Sequence, residues 1–241
     1  VILVNVSTQP VQVRHGDRIA QLLITPVARV SPVEVEVLDE TARGSGGFGT
    51  EFTEAGYRQW GGTMQDDLTD ATQWAIKQGI ADPKRICIAG GSYGAYAALM
   101  GVVKEPDLYQ CAIGFVGVYD MTVMDTRGDV SESDSGQDFL ATVLGTDDSA
   151  LALASPNKQA SKIKAGVFLA AGKEDRRAPP VHTTRMYEAL KAAGKSVDTP
   201  IIQAGEGHGY YKTENNVNLY TKMLAFLDQH LGKREQTAQA D

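Results

Sequence analysis

The sequence is poor in the residues that mark several classes of protein. It contains 2 cysteines, Cys87 and Cys111, without C-x-x-C spacing, which excludes a disulfide-rich scaffold and the common zinc motifs. Both lie in apolar runs, so we expect buried, unbonded thiols and a reducing, cytoplasmic compartment. No apolar run approaches the ~20 residues of a membrane-spanning helix, so we expect no membrane partner.

Positive charge is also scarce. The 241 residues carry 23 basic and 30 acidic side chains, a net charge of -7, which disfavours a nucleic-acid partner because phosphate binding relies on a basic face. The 42% apolar and 22% charged composition is that of a globular protein and excludes disorder, collagen and coiled coil. The first residue is Val1 and no signal-peptide pattern follows, so we expect a fragment at the N terminus.

Residues 1–38 carry strand signals only. Apolar or alternating runs with a period of two are separated by turn residues such as His15-Gly16-Asp17 and Ser31-Pro32. The pattern predicts short strands in series and a separate N-terminal all-β segment over residues 1–50. The runs are 1–6, 11–13, 18–27 and 33–37.

Strand and helix signals alternate in the rest of the chain, which predicts an α/β domain over residues 51–241 with a mostly parallel sheet and helices on both faces. Segment 125–161 is polar and irregular, and we expect a cap or insertion there. Predicted helices are 64–78, 95–104, 181–193 and 217–231, and predicted strands are 85–89, 111–118, 166–171 and 197–203.

A G-x-S-x-G motif lies between a buried strand and a helix, at Gly90-Gly91-Ser92-Tyr93-Gly94. A serine on such a tight turn points its hydroxyl away from the sheet, and glycines on both sides avoid collisions. The motif and its context predict Ser92 as a nucleophile.

A nucleophilic serine needs a base, and the chain has 4 histidines. His15 precedes the serine in the all-β segment, and His182 and His230 lie in predicted helices. His208 lies in a glycine-rich loop directly after the last predicted strand, where a general base is expected in the order Ser, Asp or Glu, His.

Two carboxylates follow strand ends and could orient the base. Asp175 follows the third strand of the α/β region, and Asp120 follows the second. Asp175 is favoured because its strand directly precedes the strand that leads to His208. Active sites of open α/β sheets lie at the carboxyl ends of the strands, so Ser92, Asp175 and His208 are expected to meet there.

Several motifs resemble the catalytic domain of the prolyl oligopeptidase family of serine hydrolases. They are G-G-S-Y-G, the G-x-x-D-x-R-x-P stretch at 172–179, Gly207-His208-Gly209, and residues 43–49 followed by 56–61. The resemblance covers about residues 43–232 and implies an α/β-hydrolase fold, with Ser92 as nucleophile, Asp175 as acid and His208 as base. It also implies Arg177 as a substrate-carbonyl ligand and the backbone N–H of Tyr93 as an oxyanion donor. No metal or cofactor is expected.

Residues 1–50 resemble something different, the last third of a trimeric dUTP pyrophosphatase. The resemblance rests on Gly16-Asp17-Arg18-Ile19-Ala20-Gln21-Leu22 and on the glycine-rich stretch Arg43-Gly44-Ser45-Gly46-Gly47-Phe48-Gly49. In that family this stretch closes over the triphosphate, and its backbone N–H groups suit an anion. The nucleoside- and metal-binding motifs that should come earlier are absent, so the resemblance implies an incomplete site.

Both families use residues 43–49, and we expect a chimera joined at this stretch. The chain has no His-Gly-Gly loop ahead of it, which in the hydrolase family helps to build the oxyanion hole. We expect a serine hydrolase that cleaves a small ester or a short peptide. The alternatives are nucleotide binding or dUTP hydrolysis by the N-terminal segment, and a weak or inactive scaffold. Ester or peptide preference and oligomeric state stay open.

Overall fold

The computed structural model describes residues 2–3 and 50–232. The N-terminal all-β prediction and the predicted 1–50 segment therefore lie almost wholly outside the described residues. Only strand β1, Ile2–Leu3, belongs to them.

Helices and strands alternate through the described residues. The strands after β1 are β2 (Cys87–Gly91), β3 (Cys111–Phe115), β4 (Gly166–Gly172) and β5 (Ile201–Gln203). The helices are α1 (Thr50–Ala55), α2 (Thr63–Lys77), α3 (Tyr93–Lys104), α4 (Asp134–Val143), α5 (Asp148–Leu153), α6 (Val181–Ala192) and α7 (Thr213–Leu231). Short 3-10 helices span Met121–Val123, Asp129–Glu132 and Pro156–Lys162.

The described strands form one sheet in the order β1-β2-β3-β4-β5. Strands β2 to β5 run parallel, and β1 pairs with β2 in the antiparallel sense. The expected mostly parallel sheet is confirmed. Parallel pairing places the carboxyl ends of β2, β4 and β5 at one edge of the sheet, which is the edge that carries the polar loops.

Two apolar layers cover the two faces of the sheet. Alternate strand residues point to opposite sides, so Ile88 and Leu169 pack with α3 and α6, whereas Ala89 and Phe168 pack with α7. Helix α3 is almost fully buried over Gly94–Val103. Its small residues let the helix lie close against β2 and β3, and this packing fixes the turn that joins β2 to α3.

Segment 125–161 differs from the sequence prediction. The expected irregular cap is helical, with α4, α5 and two 3-10 helices. Ser133 and Asp147 cap the first turns of α4 and α5 by accepting the backbone N–H of Gly136 and Ala150. Short helices with brief apolar faces give little periodicity, which is why sequence reasoning missed them.

The cysteine prediction is wrong. Cys87 and Cys111 are bonded as a disulfide, with their Cα atoms 4.6 Å apart. The parallel register places the two residues directly opposite each other on β2 and β3, on the α7 side of the sheet. Sequence spacing carries no information on strand register. The cytoplasmic location therefore loses the support of unbonded thiols, and it stays a prediction.

Gly90 is the position where the β2–α3 turn tolerates no side chain, because a Cβ there would collide with the backbone of Gly94. We expect Gly90→Ala to lower the free energy of unfolding by about 1–3 kcal/mol through overpacking. Gly91→Ala is the matched control, since its Cβ would meet only Phe115, at ordinary van der Waals distances of 3.7 and 3.8 Å. Urea denaturation measures both variants, and equal losses would contradict this packing argument.

Candidate active site

Ser92 lies at the tip of the turn between β2 and α3. Its φ of 54° and ψ of -122° place its backbone in a region that residues other than glycine rarely adopt. The backbone N–H of Ser92 donates to the carbonyl of Phe115 at 2.9 Å, and its carbonyl accepts the N–H of Ala95 at 3.0 Å. The strained turn is therefore tied to β3 on one side and to α3 on the other.

His208 connects the serine to a carboxylate. Its Nε2 lies 3.0 Å from Ser92 Oγ, and its Nδ1 lies 2.9 Å from Asp175 Oδ2. The His208 side chain is 31% exposed, whereas the Asp175 carboxylate is fully shielded from solvent. With its proton on Nδ1, the imidazole donates to Asp175 and accepts from the Ser92 hydroxyl, which is the arrangement that general-base catalysis requires.

The Asp175 carboxylate is oriented by its own loop. Its Oδ1 accepts the backbone N–H groups of Arg177 and Ala178, both at 2.9 Å, so Oδ2 is directed at His208. These hydrogen bonds fix the orientation of the carboxylate. The three residues expected to meet at one edge of the sheet are thus brought together.

Tyr93 is the first residue of α3. Its backbone N–H is one of the first-turn donors for which a helix supplies no acceptor, so it suits an anion next to Ser92. The Tyr93 ring packs edge-on against Trp60, with centroids 4.7 Å apart. Burial, with a smaller contribution from Asp67, raises the pKa of Tyr93 to about 12, so the phenol stays neutral.

Arg177 lies beside Asp175 and is held by an ion pair. Its Nε donates to Asp129 Oδ1 at 2.6 Å, and 57% of its side chain is exposed. Next to it, Arg176 pairs with Glu132 at 2.7 Å, and its carbonyl accepts the N–H of Asp129. The 3-10 helix Asp129–Glu132 is therefore fastened along the loop that carries Asp175.

Asp120, the alternative acid, makes no bond to His208. It accepts hydrogen bonds from Asn157, Arg185 and Thr122. His182 is buried nearby, and its Nδ1 accepts the N–H groups of Tyr119 and Asp120. Burial lowers the pKa of His182 to about 4, so this imidazole is a neutral structural acceptor, not a second base.

The described part of the chain offers no competing metal centre, because no three His, Cys, Asp or Glu side chains are grouped to hold an ion. Within the same residues, no helix has both the length and the apolar character needed to cross a membrane.

Comparison with known proteins identifies the family. The sequence profile of the prolyl oligopeptidase family matches residues 35–234. The chain belongs to the prolyl oligopeptidase family. The profile of dUTPase also matches, over residues 1–51, so both resemblances seen in the sequence are confirmed as matches. The chimeric join between them stays a prediction.

The relatives that the chain matches are named as peptidases. The chain is 36% identical to dipeptidyl aminopeptidase BIII of Pseudoxanthomonas mexicana, over 82% of this chain and 29% of the relative. It is 29% identical to the prolyl endopeptidase of Dictyostelium discoideum, over 76% of this chain and 26% of the relative. The solved puromycin-hydrolyzing peptidase of Mycobacterium tuberculosis superposes with a TM-score of 0.71 at 28% identity, over 77% of this chain and 28% of that one.

The superposition confirms the expected α/β-hydrolase fold. The chain spans less than a third of the length of these relatives. Their names describe peptidases, and the reaction and substrates of this chain are proposed from its own site.

Sequence reasoning missed the residues that support the triad. Asp129, which pairs with Arg177, lies in the segment 125–161 that the sequence predicts to be irregular. Glu174 and Glu206 accept hydrogen bonds from backbone N–H groups near His208, and their roles depend on loop conformation. Their positions in the sequence could have indicated these roles, because Glu174 is adjacent to Asp175 and Glu206 lies in the Gly-Glu-Gly-His-Gly loop.

Asp120 is expected to contribute to stability and not to catalysis. Burial raises the pKa of its carboxyl, but hydrogen bonds from Thr122, Arg185 and Asn157 outweigh this effect and lower the pKa from 3.8 to about 2. A lowered folded-state pKa stabilises the protein above the ordinary pKa, and this stabilisation is lost as the pH falls through about 4 to 2. We expect Asp120→Asn to lower the free energy of unfolding by about 2 kcal/mol at neutral pH.

Urea denaturation of Asp120→Asn and wild type across the acid range measures this difference. It should shrink to about half near pH 3, because the wild-type carboxylate is then losing its charge-dependent stabilisation. A difference that does not change with pH would show that the ionised carboxylate is not its source.

Proposed function

We propose that this domain is a serine peptidase that also cleaves small carboxylic esters, with Ser92 as nucleophile, His208 as general base and acid, and Asp175 as the orienting acid. The observation that carries the proposal is the continuous hydrogen-bonded relay from Ser92 Oγ through both nitrogens of His208 to Asp175. Membership of a peptidase family supports the same reaction class.

In the first half-reaction, Ser92 Oγ attacks the carbonyl carbon of the substrate while His208 Nε2 takes the hydroxyl proton. The imidazolium formed is stabilised by the Asp175 carboxylate. Collapse of the tetrahedral intermediate breaks the bond to the amine or alcohol, and His208 returns the proton to that leaving group. The product is an acyl-enzyme on Ser92.

In the second half-reaction, water attacks the acyl-enzyme. His208 takes a proton from the water and returns it to Ser92 Oγ as the acid is released. The 31% exposure of the His208 side chain supports this step, because water can reach the base without a large movement of the protein.

The oxyanion of both intermediates would accept the backbone N–H of Tyr93. The His-Gly-Gly loop that supplies further donors in the hydrolase family is absent from the sequence before residue 50. Loss of one oxyanion donor typically lowers kcat by about 10²–10³. We therefore propose a slow enzyme rather than an inactive scaffold.

Substrates of the proposed enzyme are small esters and short peptides. Arg177 would bind a substrate carbonyl through the terminal nitrogens of its guanidinium, because Asp129 already engages Nε. This ion pair holds the exposed guanidinium against the 3-10 helix Asp129–Glu132. Ion pairing with Asp129 raises the pKa of Arg177, so its charge is constant at any working pH.

A second candidate function is binding of a nucleotide such as dUTP by residues 16–21 and 43–49. The dUTPase profile match over residues 1–51 favours it, and these residues lie outside those the structure describes. Calorimetry with a non-hydrolysable dUTP analogue and magnesium separates the candidates, because the hydrolase proposal requires no nucleotide affinity.

The role of Asp175 is tested by removing its charge. We expect Asp175→Asn to lower kcat for a dipeptide p-nitroanilide by about 10⁴-fold, because the amide would stabilise the wrong tautomer of His208. Asp120→Asn is the matched control, another buried carboxylate after a neighbouring strand, and its kcat should stay within about threefold of wild type. A large loss in the control with a small loss in Asp175→Asn would reverse the assignment.

A further inference from the structure

Glu206 is a buried carboxylate two residues before the proposed base, and the relay does not use it. It is 1% exposed. Its Oε2 accepts the N–H of Tyr211 at 2.6 Å, and its Oε1 accepts the N–H of Lys212 at 3.1 Å and the side-chain amide of Asn215 at 2.6 Å. All three donors follow His208 in the chain, so the carboxylate closes the loop around the histidine.

The Glu206 carboxylate is ionised in the folded protein. Burial raises its pKa, but the hydrogen bonds from Asn215, Tyr211 and Lys212 outweigh burial and hold the pKa below its ordinary value. A buried charge is costly unless it is fully hydrogen-bonded, and these donors meet that condition. These contacts would all be lost together if the loop moved, so they stabilise one closed conformation of the loop.

Glu174 fixes the beginning of the same loop. Its Oε2 accepts the N–H groups of Gly205 at 2.8 Å and Glu206 at 3.1 Å, and its own N–H donates to the carbonyl of Glu206 at 3.0 Å. Glu174 precedes Asp175, so these bonds join the loop of the acid to the loop of the base. They do so without using the side chain of either Asp175 or His208.

His208 itself occupies the centre of a tight turn. The N–H of Gly209 donates to the carbonyl of Gly207 at 2.8 Å. After the turn, the Tyr210 ring packs on Phe115 and its hydroxyl donates to the carbonyl of Ala171 at the end of β4. The imidazole is therefore carried on backbone anchored before the turn by Glu174 and after it by Tyr210, and Glu206 spans the two sides.

We propose that Glu206 is a positioning residue for His208: its carboxylate holds the loop so that Nε2 stays within reach of Ser92 Oγ through both half-reactions. The inference rests on the proposed function, because it assigns a cause to the placement of the base. A displacement of about 1 Å at a reacting group can lower the rate by about 10²-fold, which is the effect that the closed loop would prevent.

Glu206→Gln tests the proposal with little change of shape. The glutamine amide keeps one acceptor oxygen. Its NH2 group replaces the other oxygen and faces an N–H donor, which therefore loses its acceptor. We expect kcat per active site to fall about 10- to 100-fold, with KM changed less than about threefold, because substrate contacts are untouched. Titration with a fluorophosphonate counts the active sites, so a loss of folded protein is not mistaken for a loss of kcat.

Glu214→Gln is the matched control: the same substitution at an exposed glutamate in the first turn of α7, and its kcat should equal that of wild type. Asn215→Ala covers the case in which Glu206→Gln does not fold. It keeps the carboxylate but removes one donor, and we expect a loss in kcat of about threefold to tenfold.

A wild-type kcat per titrated site in Glu206→Gln, or in Asn215→Ala, would overturn the positioning role, even if thermal stability fell. Wild-type protein that neither turns over nor reacts with the fluorophosphonate would instead overturn the proposed function, and the positioning role with it.

Discussion

Parallel pairing of β2, β3, β4 and β5 sets the positions of the loops that form the candidate active site. Backbone hydrogen bonds continue this pairing beyond the strand ends: Val116 donates to Ala170 at 2.8 Å, and Lys173 donates to Gln203 at 2.9 Å. The loops that carry Ser92, Asp175 and His208 thereby leave the sheet from one fixed edge. Strand register therefore brings the three loops together, and the hydrogen bonds of Asp175 and Glu206 then fix the positions of the side chains.

The buried carboxylates near that edge have different roles, which depend on the hydrogen-bond donors around each of them. Asp175 accepts two backbone N–H groups on one oxygen and keeps the other for His208. Glu206 uses both oxygens on the backbone N–H groups of Tyr211 and Lys212, which follow His208. Asp120 uses one oxygen on the nearby Thr122 and the other on Asn157 and Arg185 from other elements. Of the three, Asp175 alone presents an oxygen to the imidazole. The three carboxylates differ in role because the surrounding hydrogen-bond donors, and not the distance to a strand end, determine which oxygen is left to accept a bond from His208.

Local sequence was enough to predict the sheet strands, the long helices and the three residues that meet. The glycine-flanked serine, the loop histidine and the carboxylate after β4 each have a signal within a few residues of themselves. The Cys87–Cys111 bond, the Asp129–Arg177 pair and the contacts of Glu174 and Glu206 depend on register or loop conformation, which link distant positions. Short capped helices α4 and α5 were missed because they lack sustained periodicity.

We propose that the prolyl oligopeptidase domain presents an activated serine at position 92. Peptide mapping by mass spectrometry after reaction with a fluorophosphonate tests it most directly, since only a serine activated by a base reacts rapidly with such a probe. We expect a single phosphonyl adduct on Ser92 that disappears in Ser92→Ala and forms much more slowly in His208→Ala. An adduct on another residue, or labelling of Ser92→Ala at the wild-type rate, would show that Ser92 is not the nucleophile.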